Sequence, residues 1–389
     1  MFIHLKDLGE SLALESSLLY LGFMNQVQLN SEREHVQVSL DLGILRGSYE
    51  EGIAVFKGIP YAQAPLGNLR WQAPKKPLSW KGVKNCLAFG PVCPQIDYPR
   101  KSIYRISPRP QSEDCLYLNV WTPDIKAQEK LPVMLWIHGG NLNRGSACLP
   151  HYDGLNLAKE GVVLVSINYR VGVFGFLAHP SLSTESAQGV SGNYGLLDQI
   201  AALEWVQAHI DKFGGDPKRV TIFGESAGSW SVNALMASPL AKGLFQRAIG
   251  QSGASFYGER YLRETKGRKA AAEEMGASLM QSLEANGLEE MRDLSTEQLV
   301  EASFDPQHRF TADFVVDGWA LPKTIQEIFA DQSHHKVPMI IGSNDREWSG
   351  FVDLKALPKN LEGYRKLVEK RYPGKWDLFN QAYPAQSDQ

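Results

Sequence analysis

The 389-residue sequence predicts an α/β architecture, a mostly parallel central sheet with helices on both faces. Three observations carry that expectation. Short, continuous apolar runs ending in glycine or a turn residue recur along the chain, as strands buried on both faces would. Between two of them lies a segment whose apolar residues fall at helical spacing. The composition, 43% hydrophobic and 21% charged, is ordinary globular usage with enough apolar residues for a large core. No internal repeat or low-complexity linker interrupts it.

The first 36 residues stand apart. Their start, MFIHLKDLGESLALESSLLYLGFMNQ, has a faint likeness to a secretory leader. Asp7, Glu10 and Glu15 fall where a basic region and an unbroken apolar core belong. Residues 1–36 therefore read as a variable extension ahead of a domain spanning 37–389, and the cellular compartment stays open. Val133 to Ile137 in LPVMLWIHGG form the first strong strand signal, and GVVLVSINYR (161–170) forms the second. In NYGLLDQIAALEWVQAHIDKF, Leu196, Ile200, Leu203, Val206 and Ile210 line one face of a helix. RVTIFGES (219–226) and VPMIIGSN (337–344) complete the set of strands, so strands alternate with helical segments as in a parallel sheet with crossovers. The stretch 259–304, Ala-rich and charged, reads as a helical insertion on that sheet.

Charge and cysteine usage exclude several functions. A net charge of −3 gives no footprint for nucleic acid or an anionic membrane, and no apolar run is long enough to span a bilayer. Cys86, Cys93, Cys115 and Cys148 form no C-x-x-C pair, so no metal site is expected.

The chemistry concentrates in FGESAG, where Ser226 sits between Gly224 and Gly228. The strand VTIF runs straight into it and the helical AGSWSVNALMA follows, the strand–turn–helix context that makes G-x-S-x-G specific. A serine raised above a sheet needs a strained backbone, and neighbours at 224 and 228 without side chains. The free N–H groups of the following helix favour negative charge beside it. Ser226 is therefore the candidate nucleophile.

These segments, with VFKGIPYAQAPLGNLRWQAP, SEDCLYLNVWTP, WIHGG, INYRVGVFGFL, GNYGLLDQIAALEWV, FQRAIGQSG and GSNDREW, resemble the type-B carboxylesterase family of cholinesterases, fungal lipases and p-nitrobenzyl esterases. They follow the family's order over about residues 40 to 350. The resemblance implies an α/β-hydrolase fold, a small carboxylic ester as substrate and no cofactor. It places an oxyanion loop at HGGNLNRGS, where the backbone N–H groups of Gly140, Asn141 and Ala227 would receive the carbonyl oxygen. Asn141 stands where the family most often has a third glycine. A backbone donor needs no particular side chain, and asparagine tolerates left-handed backbone better than most residues. His138 reads as a residue that holds the loop. The resemblance also implies buried ion pairs Arg70–Glu113 and Arg170–Asp198 and a disulfide between Cys93 and Cys115. Trp230, Phe256 and Tyr257 are candidates for the substrate pocket, although core packing accounts for them equally.

Glu347 follows the strand VPMIIGSN at the position of the family's triad acid, with Asp345 its competitor. The base is the difficulty. The order in this fold is serine, acid, histidine, yet none of the nine histidines lies among the 42 residues 348–389. His334 and His335 precede the strand that leads to Glu347; His308 is the least implausible surrogate base, although nothing in its setting, DPQHRFTADF, supports it. The expectation is a C-terminally truncated serine esterase, lacking the triad histidine and impaired as written. The alternatives are an inactive relative used as a binding module, and another serine hydrolase on the same fold.

Overall fold

The computed structural model describes residues 34–98, 102, 110–253, 259–305, 310–345, 347 and 357–384. Phe256, Tyr257 and His308 lie outside these residues, as do the first 33. Two compact units emerge, Met1–Gly342 and Ser343–Gln389. In the second, helices Leu361–Arg371 and Trp376–Ala382 pair through Tyr364 and Trp376, whose rings meet edge to face at 5.4 Å.

The first unit is built on one sheet. Its strands are β1 (His35–Leu40), β2 (Gly43–Glu50), β3 (Ile53–Pro60), β4 (Val83–Asn85), β5 (Tyr117–Thr122), β6 (Leu131–Ile137), β7 (Val163–Ile167), β8 (Gly215–Glu225) and β9 (Arg247–Gln251). Beyond the short pair β10 (Arg260–Tyr261) and β11 (Val315–Val316), β12 (Met339–Gly342) completes it. The order across the sheet is β1-β2-β3-β5-β7-β6-β8-β9-β12, with β4 beside β2. The β1-β2-β3-β5-β7 contacts are antiparallel and the β7-β6-β8-β9-β12 contacts parallel. The sheet is thus mixed, with an antiparallel half beside the parallel half that the sequence predicts. The reason is local. The β2–β3 link is two residues, Glu51 (φ 49°) and Gly52 (φ 84°), and consecutive left-handed residues match the twist of an antiparallel hairpin. β1 begins at His35, so its first two residues fall in the segment assigned to the extension.

Parallel strands buried on both faces read as continuous apolar runs, and β6 shows why. Val133, Leu135 and Ile137 enter the main core with the helices Tyr194–His209 and Ala227–Ala237. Met134 and Trp136 face the opposite side, where Trp121, Leu164, Phe223 and Ala158 of the helix Leu155–Lys159 form a second cluster. Leu196, Ile200, Leu203 and Val206 are buried on their helix, which also buries Asp198. The segment 259–304 carries helices Ala272–Ser282, Leu288–Asp293 and Thr296–Phe304. Among the described residues no helix is long and apolar enough to cross a membrane.

Both buried ion pairs form. Arg70 Nε and Nη2 donate to Glu113 at 2.8 and 2.5 Å. Arg170 donates to Asp198 from Nε (2.8 Å), Nη2 (2.7 Å) and its backbone N–H (3.0 Å). Removing one partner of such a pair leaves an uncompensated buried charge. Asp198→Ala should therefore lower unfolding free energy by about 3–5 kcal/mol in urea titrations. A loss below about 1 kcal/mol would show that the pair contributes no more than a surface bridge does.

Candidate active site

The parallel strands β6, β8 and β9 end together. Ile137 pairs with Gly224 and Gly224 with Gly250, so the C-terminal edge of the sheet presents Ser226 one residue beyond β8. Ser226 has φ 56° and ψ −122°, a conformation that L-residues rarely adopt and that costs of order 1–3 kcal/mol. The surroundings hold it there. Its N–H donates to Gln251 O at 2.9 Å, and its carbonyl accepts the Trp230 N–H at 3.0 Å. A side chain at Gly253 would come within 2.5 Å of the Ser226 carbonyl. One at Gly224 would meet Gly228 at 2.6 Å, and one at Gly228 would strike the Ile137 carbonyl. Both glycines of G-x-S-x-G are therefore required by contact, not merely by flexibility.

The loop after β6 packs against this elbow. A Cβ on Gly139 would stand 3.2 Å from Ser226 Cβ and 2.7 Å from Glu225 O. From Gly140 the chain turns tightly, its carbonyl accepting the N–H groups of Asn143 (3.2 Å) and Arg144 (3.1 Å). Asn141 and Leu142 both have φ 58°; Asn141 is exposed and Leu142 buried. Among the described residues the backbone N–H groups of Gly140, Asn141 and Ala227 have no acceptor. Ala227 opens the 11-residue helix Ala227–Ala237, so its N–H lies at the positive end of the helix dipole. The Ser226 hydroxyl likewise has no protein partner among the described residues.

His138 fixes the root of the loop. It is buried, its Nδ1 lies 2.8 Å from Gly139 O, and its ring stacks on Tyr169 at 4.3 Å. Tyr169 in turn donates its hydroxyl to His138 O at 2.9 Å. Nδ1 therefore carries the proton, and Nε2 is left buried without a partner. Burial pushes the imidazole pKa down to about 4, against the opposing pull of the Gly139 carbonyl. It is a neutral strut.

The remaining expected residues are scattered. Trp230 is half-buried, with Cδ1 3.1 Å from the position of a Gly253 Cβ. Glu347 belongs to the second unit, where its Oε1 accepts the Asn344 N–H at 2.8 Å. His335 donates its backbone N–H to Met236 O (2.9 Å), and its Nε2 lies 2.7 Å from Ser238 O. It therefore holds the C-terminal end of the helix that Ser226 begins, about 16 Å along the axis. Cys93 and Cys115 are free thiols rather than a disulfide. The Cys93 sulfur accepts the Val171 N–H at 3.4 Å, and its hydrogen bond with Cys115, followed by burial, pushes the Cys115 pKa up. Sequence reasoning missed Gly139, Gly253, Tyr98 and Arg144. Glycine in HGG and QSG hinted at the first two, whereas the others meet only in three dimensions. Among the described residues no cluster of His, Cys, Asp and Glu could hold a metal.

A separate cavity of about 360 Å³ is lined by Trp71, Tyr194, Asp317 and Trp319, with Ser226 not among its walls. Its half-buried carboxylate Asp317 is already satisfied by Asn193 Nδ2 and the N–H groups of Trp319 and Leu321.

A strand–turn–helix serine at the C-terminal edge of a mixed sheet, backed by a glycine loop, defines an α/β-hydrolase. Residues 33–384 match the Carboxylesterase family, and the chain belongs to that family. It is 39% identical over 343 residues to the fumonisin B1 esterase of Sphingopyxis macrogoltabida, covering 87% of this chain and 61% of that protein. It is 41% identical to the para-nitrobenzyl esterase of Bacillus subtilis, with 80% and 63% covered. A solved PNB esterase superposes with a TM-score of 0.75 at 36% identity, covering 89% of this chain and 71% of that one. The carboxylesterase EST55 of Geobacillus stearothermophilus gives 0.70 at 36% identity, with 86% and 69% covered. The chain spans less than two thirds of the length of these curated relatives.

The neutral burial of His138 has a pH signature. The unfolded chain protonates this imidazole near 6.5 and the folded one only near 4. Between those values the unfolded state binds more protons, so stability is full above about 6.5 and declines as pH falls toward 4. The loss is on the order of 3 kcal/mol at most. His138→Phe keeps a ring against Tyr169 and should shrink the drop in Tm between about pH 7.5 and pH 5. An unchanged drop would assign the pH dependence to other groups.

Proposed function

We propose that the chain is the catalytic part of a serine carboxylic-ester hydrolase acting through an acyl-enzyme on Ser226. The observation that carries this reading is the strained backbone of Ser226 (φ 56°) beside three N–H groups with no acceptor among the described residues. A fold with no use for a nucleophile gains nothing from that strain. Family membership supports ester chemistry, and relatives are named as esterases of fumonisin B1 and of para-nitrobenzyl esters.

In the proposed mechanism Ser226 Oγ attacks the ester carbonyl carbon and its proton passes to a base. The carbonyl oxygen becomes an oxyanion held by the N–H groups of Gly140, Asn141 and Ala227. Collapse breaks the bond to the alcohol, which leaves with the proton, and water then releases the acid from Ser226 by the same steps reversed. Glu347 is the proposed orienter of the base. No histidine follows Glu347 in the sequence, and His138 and His335 are committed elsewhere. Unassisted serine is a poor nucleophile. Loss of a triad member costs about 10⁴–10⁶ in kcat while the oxyanion hole retains roughly 10³–10⁴ over water. Turnover by this chain alone is therefore proposed to be slow.

Hydrolysis of p-nitrophenyl butyrate by the purified chain, compared with Ser226→Ala, tests the core of this reading. The expectation is a weak activity that the variant abolishes. Equal activity in both proteins would reject Ser226. Serine-dependent turnover of several per second would instead show that one of the nine histidines reaches the serine. For the oxyanion loop, Asn141→Gly should leave kcat within several-fold, because the backbone N–H remains. A loss of about 10²–10³, the size of one missing donor, would assign the role to the amide side chain.

A further inference from the structure

Arg144 is placed unlike the arginines that pair with carboxylates. Arg70, Arg170, Arg260, Arg263 and Arg292 each reach a carboxylate. The Arg144 guanidinium reaches none among the described residues. It lies instead over two rings, Tyr98 at 5.2 Å and Phe304 at 5.6 Å from the centroids. Arg144 and Phe304 are both half-buried. Ring faces attract the cation but accept none of its five N–H groups in the plane of the fork. A guanidinium held against ring faces, with no carboxylate partner among the described residues, keeps N–H donors for a planar carboxylate, and contact with two rings restricts its freedom beforehand, which lowers the entropic cost of binding.

Its position gives that open edge a meaning. Arg144 closes the turn that begins at Gly140, its N–H donating to the Gly140 carbonyl at 3.1 Å. Tyr98 borders the same glycine, its hydroxyl 3.0 Å from where a Gly140 Cβ would stand. Gly140 also carries one of the N–H groups without an acceptor, and Gly139 beside it packs on Ser226. An ester whose carbonyl sits at that N–H therefore has Tyr98 beside it, with the guanidinium 5.2 Å from the centre of that ring.

We infer that Arg144 is a specificity-determining residue that binds a carboxylate on the substrate, so that the favoured esters are monoesters of short dicarboxylic acids. The inference rests on the esterase reading for the position of the scissile carbonyl. It adds no chemical step; Arg144 only binds. The five paired arginines are spoken for by protein carboxylates, whereas this one lies against two rings and has no carboxylate among the described residues.

Calorimetric titration of the Ser226→Ala chain with monomethyl adipate and dimethyl adipate tests it without depending on turnover. The two ligands differ by one charge and one methyl group. The monoanion should bind about 10- to 100-fold more tightly, the worth of a charge-assisted fork contact. That ratio should collapse in Arg144→Met and be partly restored in Arg144→Lys, which keeps the charge but not the fork. It should also fall as salt rises. A ratio near one in the starting protein, or one that persists in Arg144→Met, overturns the inference. Should Arg144→Met fail to fold, the ratio in Arg144→Lys decides, and an undiminished ratio there counts against the fork. A clear, Arg144-dependent ratio without Ser226-dependent hydrolysis in the parent chain would strike the esterase reading and leave the recognition site standing.

Discussion

Everything at the active edge depends on a contact between two stretches of backbone. The helix after Ser226 lies so close to β6 that a single methyl group at Gly228 would strike the Ile137 carbonyl, and one at Gly224 would reach Gly228 at 2.6 Å. Closeness of this kind can be had only where both partners lack side chains. It forces the chain to reverse from strand to helix within one residue, and Ser226 takes the unfavourable dihedrals. Van der Waals packing on both sides of the sheet supplies the stability that offsets the strain. Val232, Ala234 and Leu235 are fully buried beneath the helix.

A second constraint is the four-residue segment after β7. Asn168 accepts the Tyr61 hydroxyl on its carbonyl (2.6 Å) and the Ala147 N–H on its side chain (2.8 Å). Tyr169 holds His138, Arg170 holds Asp198, and Val171 holds Cys93. Successive residues therefore tie both ends of the oxyanion loop, the crossover helix and the buried Cys93 to one short piece of chain. The arrangement explains why charges are tolerated in the core at all. Arg170 and Asp198 are 2% and 0% exposed, and burial at that depth is bearable only with three hydrogen bonds between them.

The parallel half of the fold was legible because buried strands announce themselves as apolar runs; β6, β7 and β12 lie inside the segments so read, and β8 overlaps its segment from Arg219 to Glu225. The antiparallel half was not. β1 and β2 bury alternate residues, Val36, Val38 and Leu45 among polar neighbours, and their signal is the weaker period of two. β9, RAIGQ, is short and capped by polar residues, so its pairing with β8 and β12 supplies what its sequence lacks. At the site, Ser226 and its glycines could be read from spacing, since steric demand fixes those residue types. The positions of Tyr98 and Arg144 could not. Their meeting is set by the fold of the Gly140 turn, which no local pattern encodes.

That turn also shows how a departure from glycine is accommodated. Asn141 and Leu142 are both left-handed at φ 58°, which costs roughly 1–2 kcal/mol for a non-glycine residue. Asparagine carries the smaller share, as it visits this region more readily than other side chains. Leucine has no such excuse, but it is 1% exposed, and burying a leucine side chain contributes about 1.5–3 kcal/mol. The Leu142 carbonyl is also used, accepting the Gly172 N–H at 2.7 Å. Strain at Leu142 is therefore balanced by the core below it. Asn141 can stay exposed above, its carbonyl accepting from Asn143 at 2.9 Å while its own N–H has no acceptor among the described residues. Consecutive left-handed residues turn their N–H groups toward one concave side, a shape suited to an anion. A loop anchored from beneath by a buried side chain can present such donors without rearranging when charge develops, and electrostatic stabilisation is most effective when the donors need not move.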